Sequence, residues 1–329
     1  MSLLNLAVLG ATGLVGQTII EQIEKRDIAY KSLRLFASKS SAGRVVTVNS
    51  EDIVIEELTE EVFDGSLDIA LFAVESHLSA KFAPLAVSSG CTVIDNSSAF
   101  RMDENIPLVV PEVNAELIKD YHGIIANPNC STIQSVVALA PLRQFGLKRV
   151  AYTTYQAVSG SGRGGLEDLE RGLKGQENEF YPHPIAFNVL PHIDSFLANG
   201  YSKEEIKMIE ESRKILDLPE LKATATAVRV PVRYGHCVEM NIEFTQEFAL
   251  DEVRKALEKG TGLNLLDAPG ENIYPTPLEV AGQDPVFVGR LRRDISQEKG
   301  IHLWSVADNV LKGAALNAVQ ILEYLITQR

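Results

Sequence analysis

Three glycines at a spacing of three, Gly10, Gly13 and Gly16, stand between an apolar run and a helical pattern. No other feature of the chain constrains its fold as much. Residues 4–9 (LNLAVL) form the short apolar run that a strand buried on both faces requires. Residues 14–25 (LVGQTIIEQIEK) carry apolar side chains at Leu14, Val15, Ile19, Ile20 and Ile23, the spacing of one helix face. Between them Gly10 allows a tight turn, Gly13 lets backbone approach a pyrophosphate, and Gly16 permits close helix–strand packing. The helix N-terminus then offers N–H groups to an anion. The pattern is G-x-x-G-x-x-G, a variant of the dinucleotide fingerprint, with the strand before it and the helix after it that the fingerprint needs.

Strands predicted at 33–37, 53–57, 68–74 and 92–95, a helix at 78–88, and extended pieces at 107–111 and 123–126 continue the alternation. This predicts an α/β fold, a Rossmann-type doubly wound parallel sheet. From about residue 131 the texture changes. A helix at 131–144 leads into an alternating strand at 150–158, then a glycine-rich stretch at 159–165. Segments 224–232 and 238–244 alternate cleanly, as an antiparallel sheet with one covered face does. Helices are expected at 203–215, 251–259 and, as a long terminal helix, 306–327. The 329 residues are enough for roughly two domains. We expect residues 1–130 plus 306–329 to form a nucleotide-binding domain, NADP-binding on the grounds given next, and 131–305 an α+β domain, to which the family resemblance described below assigns catalysis and dimerisation.

After the second strand an NAD site usually places a carboxylate for the ribose hydroxyls. Here the chain reads Ser38, Lys39, Ser40, Ser41, Ala42, Gly43, Arg44, with hydroxyls and cations instead. This favours NADP over NAD. The segment Asn127-Pro128-Asn129-Cys130 opens the helix at 131–144. A cysteine at a helix N-terminus, near unsatisfied N–H groups and the positive end of the dipole, has its pKa lowered and becomes a nucleophile. Cys91, at the start of a buried strand, reads as inert, and Cys237 is ambiguous. A thiolate beside a nicotinamide suggests addition to an aldehyde, loss of hydride and a thioester, with a histidine handling the proton. Of six histidines, position alone favours His236 slightly, beside a strand and a turn; His77, His122, His183, His192 and His302 remain open. Arg229 lies within an apolar strand, where an unpaired charge would be costly.

At these residues the chain resembles the aspartate-semialdehyde dehydrogenases. The matching segments are VLGATGLVG (8–16), VIDNSSAFRMD (93–103), PLVVPEVN (107–114), ANPNCSTIQ (126–134), YQAVSGSGRGG (155–165), AFNVLPHID (186–194), VRVPVRYGH (228–236) and WSVADNVLKGAALNAVQ (304–320). The resemblance implies Cys130 as the acyl-thioester nucleophile with Asn129 beside it, Gln156 orienting substrate, and His236 as acid/base. Arg229 would hold the substrate α-carboxylate in a bidentate fork, a geometry that suits arginine. Arg101 and Lys207 would bind phosphate, and Glu204 the substrate amine. Gly10, Ala11, Thr12, Gly13, Leu14 and Val15 would line the pyrophosphate. Ser159 and Gly160 would lie near the nicotinamide, and Asn309 would reach the cofactor from the C-terminal helix. The implied reaction is reversible: L-aspartate 4-semialdehyde, phosphate and NADP+ give 4-phospho-L-aspartate, NADPH and a proton. In the biosynthetic direction Cys130 displaces phosphate, NADPH reduces the thioester, and His236 protonates the oxygen as the thiohemiacetal collapses. The pathway implied is that of lysine, threonine and methionine.

Two stretches depart from the family pattern. Ser40 replaces the arginine usual in the 2′-phosphate loop, and Phe72–Ser79 (FAVESHLS) replaces a glycine-rich stretch, placing Glu75 near the expected cofactor. The second departure resembles a paralogous branch in which the nucleophile can be missing. The alternatives are therefore a non-catalytic NADP-binding paralogue, against which Cys130 speaks, and N-acetyl-γ-glutamyl-phosphate reductase, whose acylated substrate has no free amine. Glyceraldehyde-3-phosphate dehydrogenase shares the chemistry, but its surrounding segments do not match. The chain carries 31 Lys and Arg against 44 Asp and Glu, a net charge of −13, which argues against a nucleic-acid partner. Three cysteines argue against a disulfide scaffold. With neither a basic n-region nor an apolar run of membrane length, a cytoplasmic enzyme is the expectation, homodimeric or homotetrameric, with no metal site.

Overall fold

A computed structural model describes residues 3–328. Two compact units are present. One runs through Pro128 and resumes at Ala314; the other spans Asn129–Gly313.

In the first unit β1 (Asn5–Leu9) turns through Gly10 into α1 (Leu14–Lys25). There follow β2 (Ser32–Ala37), β3 (Val45–Val48), β4 (Glu51–Glu57), β5 (Ile69–Phe72), α2 (Ser76–Ser88), β6 (Thr92–Asp95), the short α3 (Pro111–Asn114) and β7 (Ile124–Ala126). The sheet order is β3-β4-β2-β1-β5-β6-β7, and every pairing is parallel except that of the edge strand β3 with β4. Burial on both faces follows from the alternation along β1. Leu6 and Val8 join Ile19 and Ile23 of α1 and Ile321 and Leu322 of the C-terminal helix, whereas Ala7 and Leu9 join Phe82 and Ala86 of α2. That is the doubly wound sheet expected. The hairpin edge strand β3 was not foreseen.

The second unit contains α4 (Cys130–Leu139), β8 (Leu147–Gln156), α5 (Gly162–Leu173), α6 (Lys203–Leu216), β9 (Lys222–Arg229) and β10 (His236–Phe244). It continues with α7 (Leu250–Glu258), β11 (Leu263–Leu265), α8 (Pro277–Val280), β12 (Val286–Arg293) and β13 (Gly300–Ala307). The sheet order is β11-β12-β13-β10-β8-β9. The antiparallel sheet expected here is in fact mixed. β8 pairs β9 in parallel, and β11 pairs β12 in parallel, while the central pairings are antiparallel. A parallel pair needs a long crossover, and α5, α6 and the loop between them supply it.

The C-terminal segment corrects the sequence expectation. Residues 306 and 307 end β13, and a turn with a π-helical stretch at Leu311–Ala315 precedes the last helix, α9 (Leu316–Thr327). The chain rejoins the first unit at Ala314, not 306, and leaves it after Pro128, not 130. Apolar spacing alone does not separate a buried strand end from a buried helix start. Among the described residues no helix is long and apolar enough to cross a membrane.

Candidate active site

Cys130 is the first residue of α4, and Asn129 is its N-cap, extended at φ −63° and ψ 144°. The Asn129 side-chain oxygen accepts from the N–H groups of Ser131 (2.9 Å) and Thr132 (3.3 Å). This is the expected use of asparagine at a helix entry. It also corrects the expectation of unsatisfied N–H groups there: two of the first-turn donors are engaged by the cap. Cys130 is partly exposed, whereas Cys91 and Cys237 are buried, and burial pushes both of their thiols up to about 12. A Cβ on Gly313 would lie 3.0 Å from the Cys130 Cβ, so the Leu311–Ala315 stretch packs closely against Cys130.

Gln156 and Arg229 occupy paired positions at the C-terminal ends of the parallel strands β8 and β9, and His236 opens β10 on the other side of β8. Ala157, just past β8, is the hub. Its N–H donates to His236 Nδ1 at 2.9 Å, and its carbonyl accepts from Arg229 Nη1 at 2.7 Å. A ring nitrogen that accepts has no proton, so this hydrogen bond assigns the neutral ring's proton to Nε2. Burial, with the Arg229 charge adding to it, holds His236 well below its ordinary 6.5. Among the described residues, His236 Nε2 and Arg229 Nε are both buried with no protein partner, which marks them as groups awaiting a polar ligand. Gly160 lines the same place. A Cβ there would sit 2.9 Å from Arg229 Nη1 and 3.0 Å from His236 Nε2.

Helix α6 begins in a capping box between Ser202 and Glu205, which turns Glu204 inward. Buried Glu204 Oε1 accepts from Asn129 Nδ2 (2.8 Å) and Gln156 Nε2 (3.1 Å), and its Oε2 lies 3.3 Å from Lys207 Nζ. Burial alone would raise its pKa. The Lys207 charge and the hydrogen bonds from Asn129 and Gln156 outweigh burial and hold it below the usual carboxylate value. Lys207 also pairs with Asp194 at 2.8 Å. The structure thus links Asn129, Glu204, Gln156 and Lys207 in one network, and Arg229, His236 and Gly160 around Ala157.

The sequence reading missed Glu211, whose carboxylate accepts from the Asn129 backbone N–H at 2.7 Å. Only its place on the helix was readable, since Glu204, Met208, Glu211 and Ser212 share one stripe of α6; its backbone partner was not. Asn309 is corrected. It lies in the turn before the last helix, not on it. Its Oδ1 accepts from the Gly235 N–H (2.9 Å), and its Nδ2 donates to Ser159 Oγ (2.9 Å), so it ties the Ser159 loop to the segment entering His236.

The remaining residues belong to the first unit. Gly10 has φ +81°, and a Cβ there would meet the Ala73 carbonyl at 2.2 Å; one on Gly16 would meet the Gly10 carbonyl at 2.1 Å. No side chain caps α1 at Gly13. Ala11, Thr12, Leu14 and Val15 complete a turn that fits a dinucleotide pyrophosphate. Ser38, Lys39, Ser40 and Ser41 form a turn after β2 in which Ser38 and Ser40 hydroxyls lie 3.0 Å apart. Glu75 is the exposed N-cap residue of α2, 3.3 Å from His77. Arg101 is buried and donates to the Asn96 carbonyl at 2.8 Å.

Residues 5–121 match the family described as semialdehyde dehydrogenase, NAD binding domain, and residues 139–312 match semialdehyde dehydrogenase, dimerisation domain. An aspartate-semialdehyde dehydrogenase of Aquifex aeolicus is 47% identical, with 98% of each chain covered. The solved aspartate semialdehyde dehydrogenase II of Vibrio cholerae, complexed with ASA, is 44% identical with a TM-score of 0.94, covering 99% of each chain. An aspartate semialdehyde dehydrogenase of Candida albicans, solved with NADP, is 25% identical with a TM-score of 0.79, again over 99% of each chain. The helix-entry thiol, the nicotinamide-type glycine turn and this full-length similarity agree, and the chain belongs to the aspartate-semialdehyde dehydrogenase family.

Proposed function

We propose that this chain interconverts 4-phospho-L-aspartate and L-aspartate 4-semialdehyde, with NADP as the redox partner and phosphate released or consumed. The observation that carries the proposal is the hydrogen-bonded chain from the residue next to Cys130, through Glu204, to Gln156. Gln156 neighbours Arg229, and both lie beside the Ala157 hub that holds His236.

Cys130 attacks the acyl carbon of the substrate as its thiolate. A C–S bond forms, the C–O bond to phosphate breaks, and phosphate leaves. When bound, the nicotinamide supplies the hydride that reduces the acyl carbon. His236 faces the carbonyl oxygen with its Nε2–H. Because the buried ring is neutral, it donates a hydrogen bond to the developing oxyanion rather than giving up a net proton. Collapse of the thiohemiacetal reforms the carbonyl, breaks the C–S bond and restores the thiolate. Arg229 holds the α-carboxylate, using the donors left by its bond to Ala157. Glu204, ionised and buried, receives the substrate ammonium, and Gln156 orients the reacting group. Arg101 and Lys207 bind phosphate; for Lys207 this means exchanging Asp194 for the anion.

The glycine turn from Gly10 to Val15 takes the pyrophosphate at the N-terminus of α1. Absence of a carboxylate among Ser38, Lys39, Ser40 and Ser41, and the NADP held by the Candida albicans relative, support NADP over NAD. Ser159 and Gly160 would hold the nicotinamide end of the cofactor when it is bound, with Asn309 fixing that loop. We place the enzyme in the cytoplasm, in lysine, threonine and methionine biosynthesis. It acts as a homodimer through the unit that matches the dimerisation domain, or as a homotetramer built from it.

The test is phosphate-dependent NADP+ reduction, measured with aspartate semialdehyde and with N-acetylglutamate semialdehyde. We expect activity on the first only, because a buried ionised Glu204 demands a cationic amine. Inactivity on both refutes the enzyme reading. Activity on the acetylated substrate instead assigns the chain to the reductase.

A further inference from the structure

Glu211 has no role in the reaction as set out above, yet it is a buried carboxylate, 1% exposed, which is costly to keep in a folded interior. It accepts a hydrogen bond from the backbone N–H of Asn129, the residue immediately before the nucleophile. Seven residues earlier on the same face of α6, Glu204 accepts from the side chain of that same asparagine. Between them Met208 receives the hydroxyl of Thr132, in the first turn of the nucleophile helix, at 3.6 Å. The Asn129 side-chain oxygen serves Ser131 and Thr132, and its carbonyl accepts from Ile133 at 2.9 Å. Every polar group of Asn129 is therefore engaged, two of them by carboxylates of one helix.

We propose that Glu211 is the positioning residue for Cys130. It anchors the entry of the nucleophile helix through the Asn129 backbone, while Glu204 changes partners to receive the substrate ammonium. The two carboxylates divide the work. Glu204 shares its acceptor oxygens among Asn129, Gln156 and Lys207, so an incoming ammonium competes for them and loosens its hold on Asn129. The Glu211 bond is to backbone rather than to an amide side chain, so it persists through that exchange. The assignment rests on Cys130 being the nucleophile and Glu204 the amine acceptor. It predicts that the reach of the residue 211 side chain, and not its charge, governs turnover.

Two conservative variants separate reach from charge. Glu211→Asp withdraws the acceptor by one methylene; Glu211→Gln keeps an acceptor oxygen at the same reach. Misplacement of a reacting group by about 1 Å costs about 100-fold, so we expect Glu211→Asp to lower kcat by about tenfold or more. We expect its KM for aspartate semialdehyde to move little, and Glu211→Gln to recover most of the lost turnover. The rate of Cys130 alkylation by iodoacetamide, read by peptide mass spectrometry without substrate, should fall in Glu211→Asp and recover in Glu211→Gln. Buried Cys91 and Cys237 serve as internal controls. An Asp variant with wild-type kcat and alkylation rate overturns the proposal. So does a Gln variant as impaired as Asp, because charge would then be the operative property. If the wild type reduces no NADP+ with aspartate semialdehyde, the function reading fails, yet the alkylation comparison still decides the role of Glu211.

Discussion

Replacing Gly160 by alanine perturbs two proposed substrate-binding groups with one methyl. The added carbon would sit 2.9 Å from Arg229 Nη1, 3.0 Å from His236 Nε2 and 3.1 Å from His236 Cε1. Comfortable contact between heavy atoms starts at about 3.5 Å, so one group must retreat by about 0.5 Å. Neither is loose, because Arg229 and His236 are both tethered to Ala157. A 1 Å displacement costs about 100-fold, so we expect kcat to fall about tenfold to 100-fold. At about 1.36 kcal/mol per tenfold, that is about 1.4–2.7 kcal/mol of lost transition-state stabilisation. The backbone does not resist the change, since Gly160 is outside the left-handed region. Alanine also restricts the unfolded chain by about 0.4–1 kcal/mol, which offsets part of the contact strain. Thermal unfolding should therefore move by no more than about 4 °C. Steady-state kinetics and a melting curve on the same preparation make the test. A kcat within about threefold of wild type refutes the close approach of residue 160 to the Arg229–His236 pair.

Stability should fall with pH in a window set by His236. Its folded-state pKa lies well below 6.5, so as pH drops below 6.5 the unfolded chain binds a proton that the folded chain refuses. Between pH 6.5 and 5.5 we expect a loss of up to about 1.4 kcal/mol per unit from this group in denaturant titrations, and His236→Gln should remove it. Glu204 and Asp194, both held below their ordinary values, stay ionised in that window in either state and contribute only at lower pH. Identical slopes for wild type and variant would contradict the assignment. Glu204→Gln should raise the KM for aspartate semialdehyde by about tenfold to 100-fold, the worth of a charged hydrogen bond at about 1.5–3 kcal/mol; an unchanged KM removes Glu204 from the ammonium site. Ser40→Arg should shift the kcat/KM ratio toward NADP over NAD by about tenfold, through a charge-assisted bond to the 2′-phosphate; a ratio that does not move means the Ser38–Ser41 turn does not read that phosphate.

The first unit was legible because its signals are local. Gly10 to Gly16, the apolar run at 4–9 and the spacing through Ile23 each specify their own conformation. The edge strand Val45–Val48 escaped because its pairing with Glu51–Glu57 is a hairpin of mostly exposed residues, with little apolar contrast. In the second unit Gly162–Leu173 opens with three glycines in four residues, a poor helix start by propensity. Tertiary contact decides otherwise, since a Cβ on Gly165 would lie 2.4 Å from the Val158 carbonyl. The parallel pairing of Leu147–Gln156 with Lys222–Arg229 is a long-range choice that no window of sequence displays. For the site, residue types at Cys130, Arg229 and His236 pointed to chemistry. Contributions made by backbone could not be seen that way: the Ala157 hub, the Asn129 N–H held by Glu211, and the approach of Gly313 to Cys130.

The central claim is a covalent acyl group on Cys130. Incubating the enzyme with aspartate semialdehyde and NADP+ in the absence of phosphate, then quenching in acid and mapping peptides by mass spectrometry, tests it directly. The account predicts an aspartyl adduct confined to the peptide containing Cys130, discharged when phosphate is added and missing from Cys130→Ala. Turnover by the Cys130→Ala variant, or an active wild type whose adduct sits on another residue, would contradict it.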